Sequence, residues 1–262
     1  MLWFESVVFG LNAFFVLAFK LFLEKLPKEE AEKCCLLLHT SPVDDNGTDL
    51  YALREFLFGR DCKNVIFSDR PLGVPQMNYL YNMSNVQILL TSNEGWGLSL
   101  TESLLAGNPI IAHVQGGMQD QMRFEDEKGN WIDFNDKFMS NHNGTYKKHG
   151  EWAFPVYSAS KSLVGSVPTP YIWEERCKFE DAAEQIMAVY KLHKQGKLAD
   201  LGLKGREWAT GEEAGFTSFF QAKRIMKNVD LLFEKWVPRE KFELIKVNKY
   251  NGERKLNHEL TY

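Results

Sequence analysis

The stretch VQILLTSNEGWGLSLTESLLAGNPIIAHVQGG, residues 86–117, decides the fold. Val86–Ser92 is a short apolar run and reads as a buried strand. The polar, glycine-bearing Asn93–Gly97 then breaks the pattern. Leu98–Ala106 has the composition of a helix, and Gly107 stands where a helix ends. Pro109–Val114 is a second apolar run, and Gly116-Gly117 marks a turn. Strand, loop, helix and strand in about 30 residues is the pattern of a βαβ unit with parallel strands.

The same alternation extends outward. Towards the N-terminus, Ser6–Leu11 and Cys34–Thr40 read as strands, with a helix over Phe14–Leu26 between them whose Phe15, Phe19, Phe22 and Leu26 form one stripe. Asp49 is placed to cap a helix ending at Gly59. Val65–Ser68 is a third strand and Pro75–Met83 a short helix. Beyond the opening stretch, Trp152–Tyr157 reads as a sixth strand. Lys178–Trp236 is helical, with breaks expected near Gly196, Gly202–Gly205 and Gly211–Gly215. The tail 237–262 is charged, and its Asn251-Gly252 pair suits a hairpin turn. The expected architecture is α/β, a doubly wound Rossmann-like parallel sheet over residues 1–236 with a helical C-terminal stretch.

Composition narrows the function. The 262 residues carry a formal net charge of −4, so bulk charge points to no nucleic-acid partner, and an anion must be held by a local site. Cys34, Cys35, Cys62 and Cys177 lack metal or redox spacing and are expected as buried, reduced thiols of a cytoplasmic, reducing compartment. Asn46, Asn82 and Asn143 head N-x-[ST] triplets, which mean little without a secretory signal. Glu5, Asn12 and Lys20 interrupt the apolar N-terminus, so it offers no clean run of about 18 residues to span a bilayer. Peripheral attachment to a membrane surface stays compatible with it. No metal site, G-x-S-x-G elbow or Walker loop is present.

Residues 93–120 carry the chemistry. Gly95 and Gly97 let backbone approach a ligand closely. The helix starting at Leu98 presents amides without intrahelical partners, an anion site suited to a diphosphate, with Ser99 and Thr101 adding hydroxyls. Glu102 lies where a carboxylate can accept the vicinal hydroxyls of a ribose. Glu94, on the loop rim, suits the hydroxyls of a sugar. Each feature has a plainer alternative: solvated carboxylates, a simple Gly-Gly turn, or a Trp96 that covers the loop instead of stacking on a ligand. His39 and His113 end strands on the ligand side, where structural roles are the commoner outcome.

The segment EGWGLSLTE (94–102), with SLLAGNPIIA and then a Gly-Gly turn, resembles the signature of the group-1 (family 4) retaining glycosyltransferases of the GT-B type, in their C-terminal, donor-binding domain. The resemblance implies transfer of a sugar from a UDP- or GDP-type nucleotide sugar with retention at the anomeric carbon, to an unidentified acceptor and without a further cofactor. It implies that Glu94 sits by the donor sugar, as the catalytic candidate. It also implies that Glu102 binds the ribose and that Gly95, Trp96, Gly97, Leu98, Ser99, Leu100 and Thr101 surround the diphosphate. Gly116 and Gly117 resemble a glycine turn facing the donor, with Asp120 beside it. Arg70, in SDRPLG (68–73), is the candidate for a base or phosphate contact. The resemblance departs at two points. Family members carry an Arg and a Lys after the first strand, whereas here no cation precedes Lys20, and the sequence starts at the donor domain, with no N-terminal acceptor domain within it. The remaining alternatives are a fragment that binds nucleotide sugar without turnover, a GT-B sugar-nucleotide epimerase, and a structural Rossmann-like domain.

Overall fold

A computed structural model describes residues 2–7, 12–43, 47–132, 141–142, 144–165 and 171–238. Six strands form one parallel sheet: β1 (Leu2–Val7), β2 (Cys34–His39), β3 (Val65–Ser68), β4 (Val86–Leu89), β5 (Ile110–His113) and β6 (Ala153–Val156). Their order is β3-β2-β1-β4-β5-β6. That is the doubly wound order, and it reverses between β1 and β4, where such sheets open a ligand crevice at the carboxyl ends of the strands.

The helices follow the crossovers. α1 (Asn12–Glu24), α2 (Lys28–Ala31) and α3 (Leu50–Phe58) lie between β1 and β3; α4 (Val74–Met83) and α5 (Leu98–Ala106) join β3 to β5. The one-turn α6 (Met118–Gln121) follows β5. α7 (Phe179–Lys194) and α8 (Leu198–Thr210) come after β6, and α7 packs on α1. Phe15, Val16, Phe19 and Phe22 of α1 are buried, and Phe22 meets Tyr190 of α7 edge-on at 5.5 Å. Burial of side chains this large from both helices is what fixes them on the sheet. The Asp49 carboxylate accepts the Ala52 amide at 2.9 Å, and Gly59 ends α3 as expected. Cys34, Cys35 and Cys177 are buried and unpaired with one another, and desolvation pushes their thiols up to about 11, 12 and 12.

Three expectations change. The first strand runs over Leu2–Val7, earlier than Ser6–Leu11, in parallel register with Cys34–His39. Gly202 and Gly205 do not break the helical stretch but lie inside α8. A Cβ on Gly202 would sit 1.9 Å from the Gly107 carbonyl oxygen, so these glycines let α8 lie against the end of α5. The irregular region before α7 holds an antiparallel hairpin, β7 (Ser158–Val164) with β8 (Ile172–Cys177). The loop at 8–11, the triplets at Asn46 and Asn143, and the Asn251-Gly252 pair lie outside the described residues.

The chain divides into two units, residues 1–221 and 222–262. In the second, the described part continues α9 (Ser218–Lys235), which exposes Ile225, Met226, Leu232 and Phe233. Among the described residues no helix is long and apolar enough to cross a membrane.

Candidate functional site

The loop after β4 meets the turn after β5 at the carboxyl edge of the sheet. The Gly117 amide donates to the Gly95 carbonyl at 3.0 Å. The approach is close enough that a Cβ on Gly116 would fall 1.9 Å from the Glu94 carbonyl oxygen, and one on Gly117 2.6 Å from that of Gly95. Gly116 also has φ +51°, in the left-handed region. Both glycines are therefore required by contact between two loops, which a plain turn would not need.

A buried relay locks the loop from behind. The Trp96 indole N–H donates to Thr101 Oγ1 at 2.8 Å, and the Thr101 hydroxyl donates to Gln121 Oε1 at 2.8 Å. Gln121 Nε2 in turn donates to the carbonyls of Trp96 and Gly97, at 2.6 and 3.2 Å. Trp96 meets Phe216 edge-on at 5.2 Å. The Thr101 hydroxyl is thus directed inward and used structurally, and the indole of Trp96 fastens the loop. Nothing in the sequence around Gln121 signals this partner, which lies about 20 residues downstream of Thr101.

α5 begins at Gly97 (φ 82°, ψ 67°), and no side chain caps it. Leu98 at its start is 71% exposed and Ser99 is half-buried, while the Leu100 amide is bonded to the Gly97 carbonyl at 3.0 Å, which leaves the Leu98 and Ser99 amides as the free donors of the helix start. Leu100 is buried and anchors that turn in the core. A cleft opens on either side. One, of about 480 Å³, is lined by Asn93, Glu94, Gly95, Trp96, the Gly116-Gly117 turn, Asp120 and Trp173 among others. The other, of about 360 Å³, is lined by Leu72, Met77, Asn78, Tyr81 and Glu102 among others. The two glutamates, with seven residues between them in the motif, thus fall in separate clefts, one lined by the loop before α5 and the other by the body of α5.

Each carboxylate is oriented. Glu94 Oε1 accepts the Trp96 amide at 3.3 Å, and Glu102 Oε2 accepts the Tyr81 hydroxyl at 2.6 Å. Tyr81, on α4, is a site residue that no local pattern identified. Arg70 is exposed and lines neither cleft, although Leu72 of the same segment lines the Glu102 cleft. Among the described residues neither cleft is lined by Lys or Arg. Lys20 sits on α1, 3.0 Å from Glu24 and over the Phe58 ring, and so takes no part. No group of His, Cys, Asp and Glu among the described residues could hold a metal ion.

The hairpin walls the Glu94 cleft. It is tied to the β4 loop by the Glu175 amide on the Ser92 carbonyl at 2.9 Å and by Asn93 Nδ2 on the Trp173 carbonyl at 3.2 Å. Beneath it, Glu175, 1% exposed, accepts from Ser158 at 2.6 Å and from Asn141, and pairs with Lys161 at 3.1 Å. His113 donates from Nδ1 to the Thr91 carbonyl at 2.7 Å, since a carbonyl can only accept, and Nε2 shares the Ser158 hydroxyl at 2.9 Å. Burial lowers the His113 pKa, partly opposed by the Thr91 carbonyl and by Glu175. The structural role foreseen for a strand-end histidine is the one it performs.

Residues 63–141 match the family described as Glycosyl transferases group 1. The match contains both clefts' glutamates and the Gly-Gly turn, and it stops short of the hairpin. Among solved structures, the chain resembles HepE of Anabaena, solved in complex with UDP and glucose, with TM-score 0.53 and 13% identity over 87% of this chain and 48% of that one. It resembles a glycosyltransferase from Rickettsia africae with TM-score 0.56 and 12% identity over 90% and 49%. Sucrose-phosphate synthase from Thermosynechococcus elongatus gives TM-score 0.54 and 17% identity over 88% and 45%. The α/β fold is that of GT-B glycosyltransferase structures, and this chain spans about half their length. No curated protein matches the sequence.

Proposed function

We propose that this chain is the donor-binding half of a retaining family-4 glycosyltransferase, holding a nucleoside diphosphate sugar across the start of α5. The observation that carries the reading is the placement of Glu94 and Glu102 in two clefts, one lined by the loop that leads into α5 and one by the body of that helix, whose N-terminus no side chain caps. A diphosphate over the helix start meets the Leu98 and Ser99 amides and the positive dipole end. The ribose then falls by Glu102 and the transferred sugar by Glu94. In transfer with retention, charge builds on the leaving phosphate, and holding that phosphate supplies much of the rate. The acceptor belongs to a part of the enzyme outside this chain. The match over 63–141 supports the transferase class.

A second reading, binding of nucleotide sugar without turnover, is favoured by one specific observation: among the described residues no Lys or Arg lines either cleft.

Calorimetric titration with UDP, GDP and their hexose conjugates tests the site. Glu102→Ala is expected to weaken binding of the bare nucleotide about tenfold, the scale of losing charge-assisted hydrogen bonds. Unchanged affinity would remove Glu102 from the ribose. Glu94→Ala is expected to spare the bare nucleotide and weaken its hexose conjugate by about five- to tenfold. An equal loss for both ligands counts against a sugar contact. Product analysis on the enzyme with its acceptor, by anomeric configuration, separates retention from inversion and transfer from binding alone.

A further inference from the structure

We infer that the β7–β8 hairpin selects the transferred sugar, with Trp173 as a flat apolar wall for a neutral pyranose ring; the inference rests on the donor-site reading above. Three observations carry it. Trp173 and Ile172 line the same cleft as Glu94, and Trp173 as a whole is 38% exposed, which is high for so large an aromatic inside a folded unit. The position is held firmly: the Trp173 carbonyl accepts from Asn93, the next residue but one donates to Ser92, and Glu175 anchors the strand in the buried network. The rest of the lining is chemically one-sided. Glu94 and Asp120 are carboxylates and Asn93, Gln115 and Gln119 are amides.

Amides and carboxylates together accept and donate to hydroxyls, and an indole face packs against the C–H face of a sugar ring. Such a set suits a hydroxyl-rich, uncharged hexose. A uronic acid or a phosphorylated sugar would bring a second anion towards two carboxylates with no facing cation among the lining residues. Lys161, which does not line the cleft, has its Nζ 5.1 Å from the centre of the Trp173 ring. It is paired with the buried Glu175 at 3.1 Å, so its charge is largely offset locally. Lys161 therefore backs the ring, and the polar side chains that line the cleft are carboxylates and amides.

The test uses the whole chain and whichever of UDP and GDP binds. Three ligands of that base are titrated: the bare diphosphate, the neutral hexose conjugate (UDP-glucose or GDP-mannose) and the uronate conjugate (UDP-glucuronate or GDP-mannuronate). The neutral conjugate is expected to bind at least tenfold tighter than the uronate. Trp173→Ala is expected to cost about tenfold on the neutral conjugate and nothing on the bare diphosphate, while Trp173→Phe, which keeps a flat face, stays within about threefold of the native chain. Circular dichroism on both variants verifies folding, and the Phe variant preserves the comparison if the Ala variant unfolds. Uronate binding as tight as the neutral hexose overturns the neutral-sugar assignment. Equal losses on conjugate and bare diphosphate, or none on either, overturn the role of Trp173. If neither diphosphate binds, the donor-site reading itself fails and takes this inference with it, a result distinct from the others.

Discussion

Gly116→Ala is expected to destabilise the fold by about 3 kcal/mol and to abolish measurable binding of a nucleotide sugar. Two effects add. At φ +51° any L residue carries a steric cost of about 1–2 kcal/mol. The new methyl carbon would also lie 1.9 Å from the Glu94 carbonyl oxygen and 3.1 Å from its carbon. Both are backbone atoms, so no side-chain rotation relieves the overlap, and one loop must move by about an ångström to restore contact near 3 Å. The movement displaces Glu94 and breaks the bond from the Gly117 amide to Gly95. Gly95→Ala is the internal control, because a Cβ there meets nothing within 4 Å and its φ is not in the left-handed region. Its stability is expected within about 0.5 kcal/mol of the native chain. Chemical denaturation of the pair decides the matter, and equal midpoints for the two variants would mean that the loops do not touch.

Glu175→Ala is expected to destabilise by about 2–3 kcal/mol, near the lower end for breaking a buried ion pair. The carboxylate is 1% exposed and serves Ser158, Asn141 and Lys161 at once. Removing it strands hydroxyl and amide groups in the interior, each costly to leave unbonded. Lys161, whose side chain is 31% exposed, can turn towards water, and this keeps the loss below that of a fully enclosed pair. Glu175→Gln retains acceptors for Ser158 and Asn141 and is expected to cost about half as much. Urea unfolding of both variants measures the order. A glutamine variant no more stable than the alanine variant would show that the charge, and not the hydrogen bonds that glutamine keeps, holds the hairpin. Because β8 also carries Trp173, loss of the network is expected to weaken the hexose conjugate more than the bare nucleotide.

Local signals made the sheet readable. Each strand from β2 to β5 is a short apolar run, and the caps at Asp49, Gly59 and Gly107 stand where backbone sterics and an unpaired amide require them. Such features depend on residues within a turn or two of one another, so sequence alone carries them. The motif of Glu94 to Glu102 was legible for the same reason, being a loop and a helix start contiguous in the chain. Gly202 and Gly205 misled because a glycine in a helical pattern suggests a break, whereas here it removes a side chain from a helix crossing. Arg70 follows a strand, where a ligand contact is expected, and the residue of its segment that lines the Glu102 cleft is Leu72, a difference set by how the loop folds back on α4 and not by local pattern.

By itself the sequence determined the doubly wound α/β fold, the strand-to-helix loop with its two glutamates and the Gly-Gly turn, because periodicity, capping and turn chemistry are local. Only the tertiary structure decided that Thr101 and Trp96 lock the loop through Gln121, that Tyr81 orients Glu102, and that a hairpin anchored by Glu175 brings Trp173 to the cleft of Glu94. Those partners are separated by about 20 to 80 residues, and their pairing follows from which loops meet at the carboxyl edge of the sheet, where packing and buried hydrogen bonds, not local preference, set the outcome.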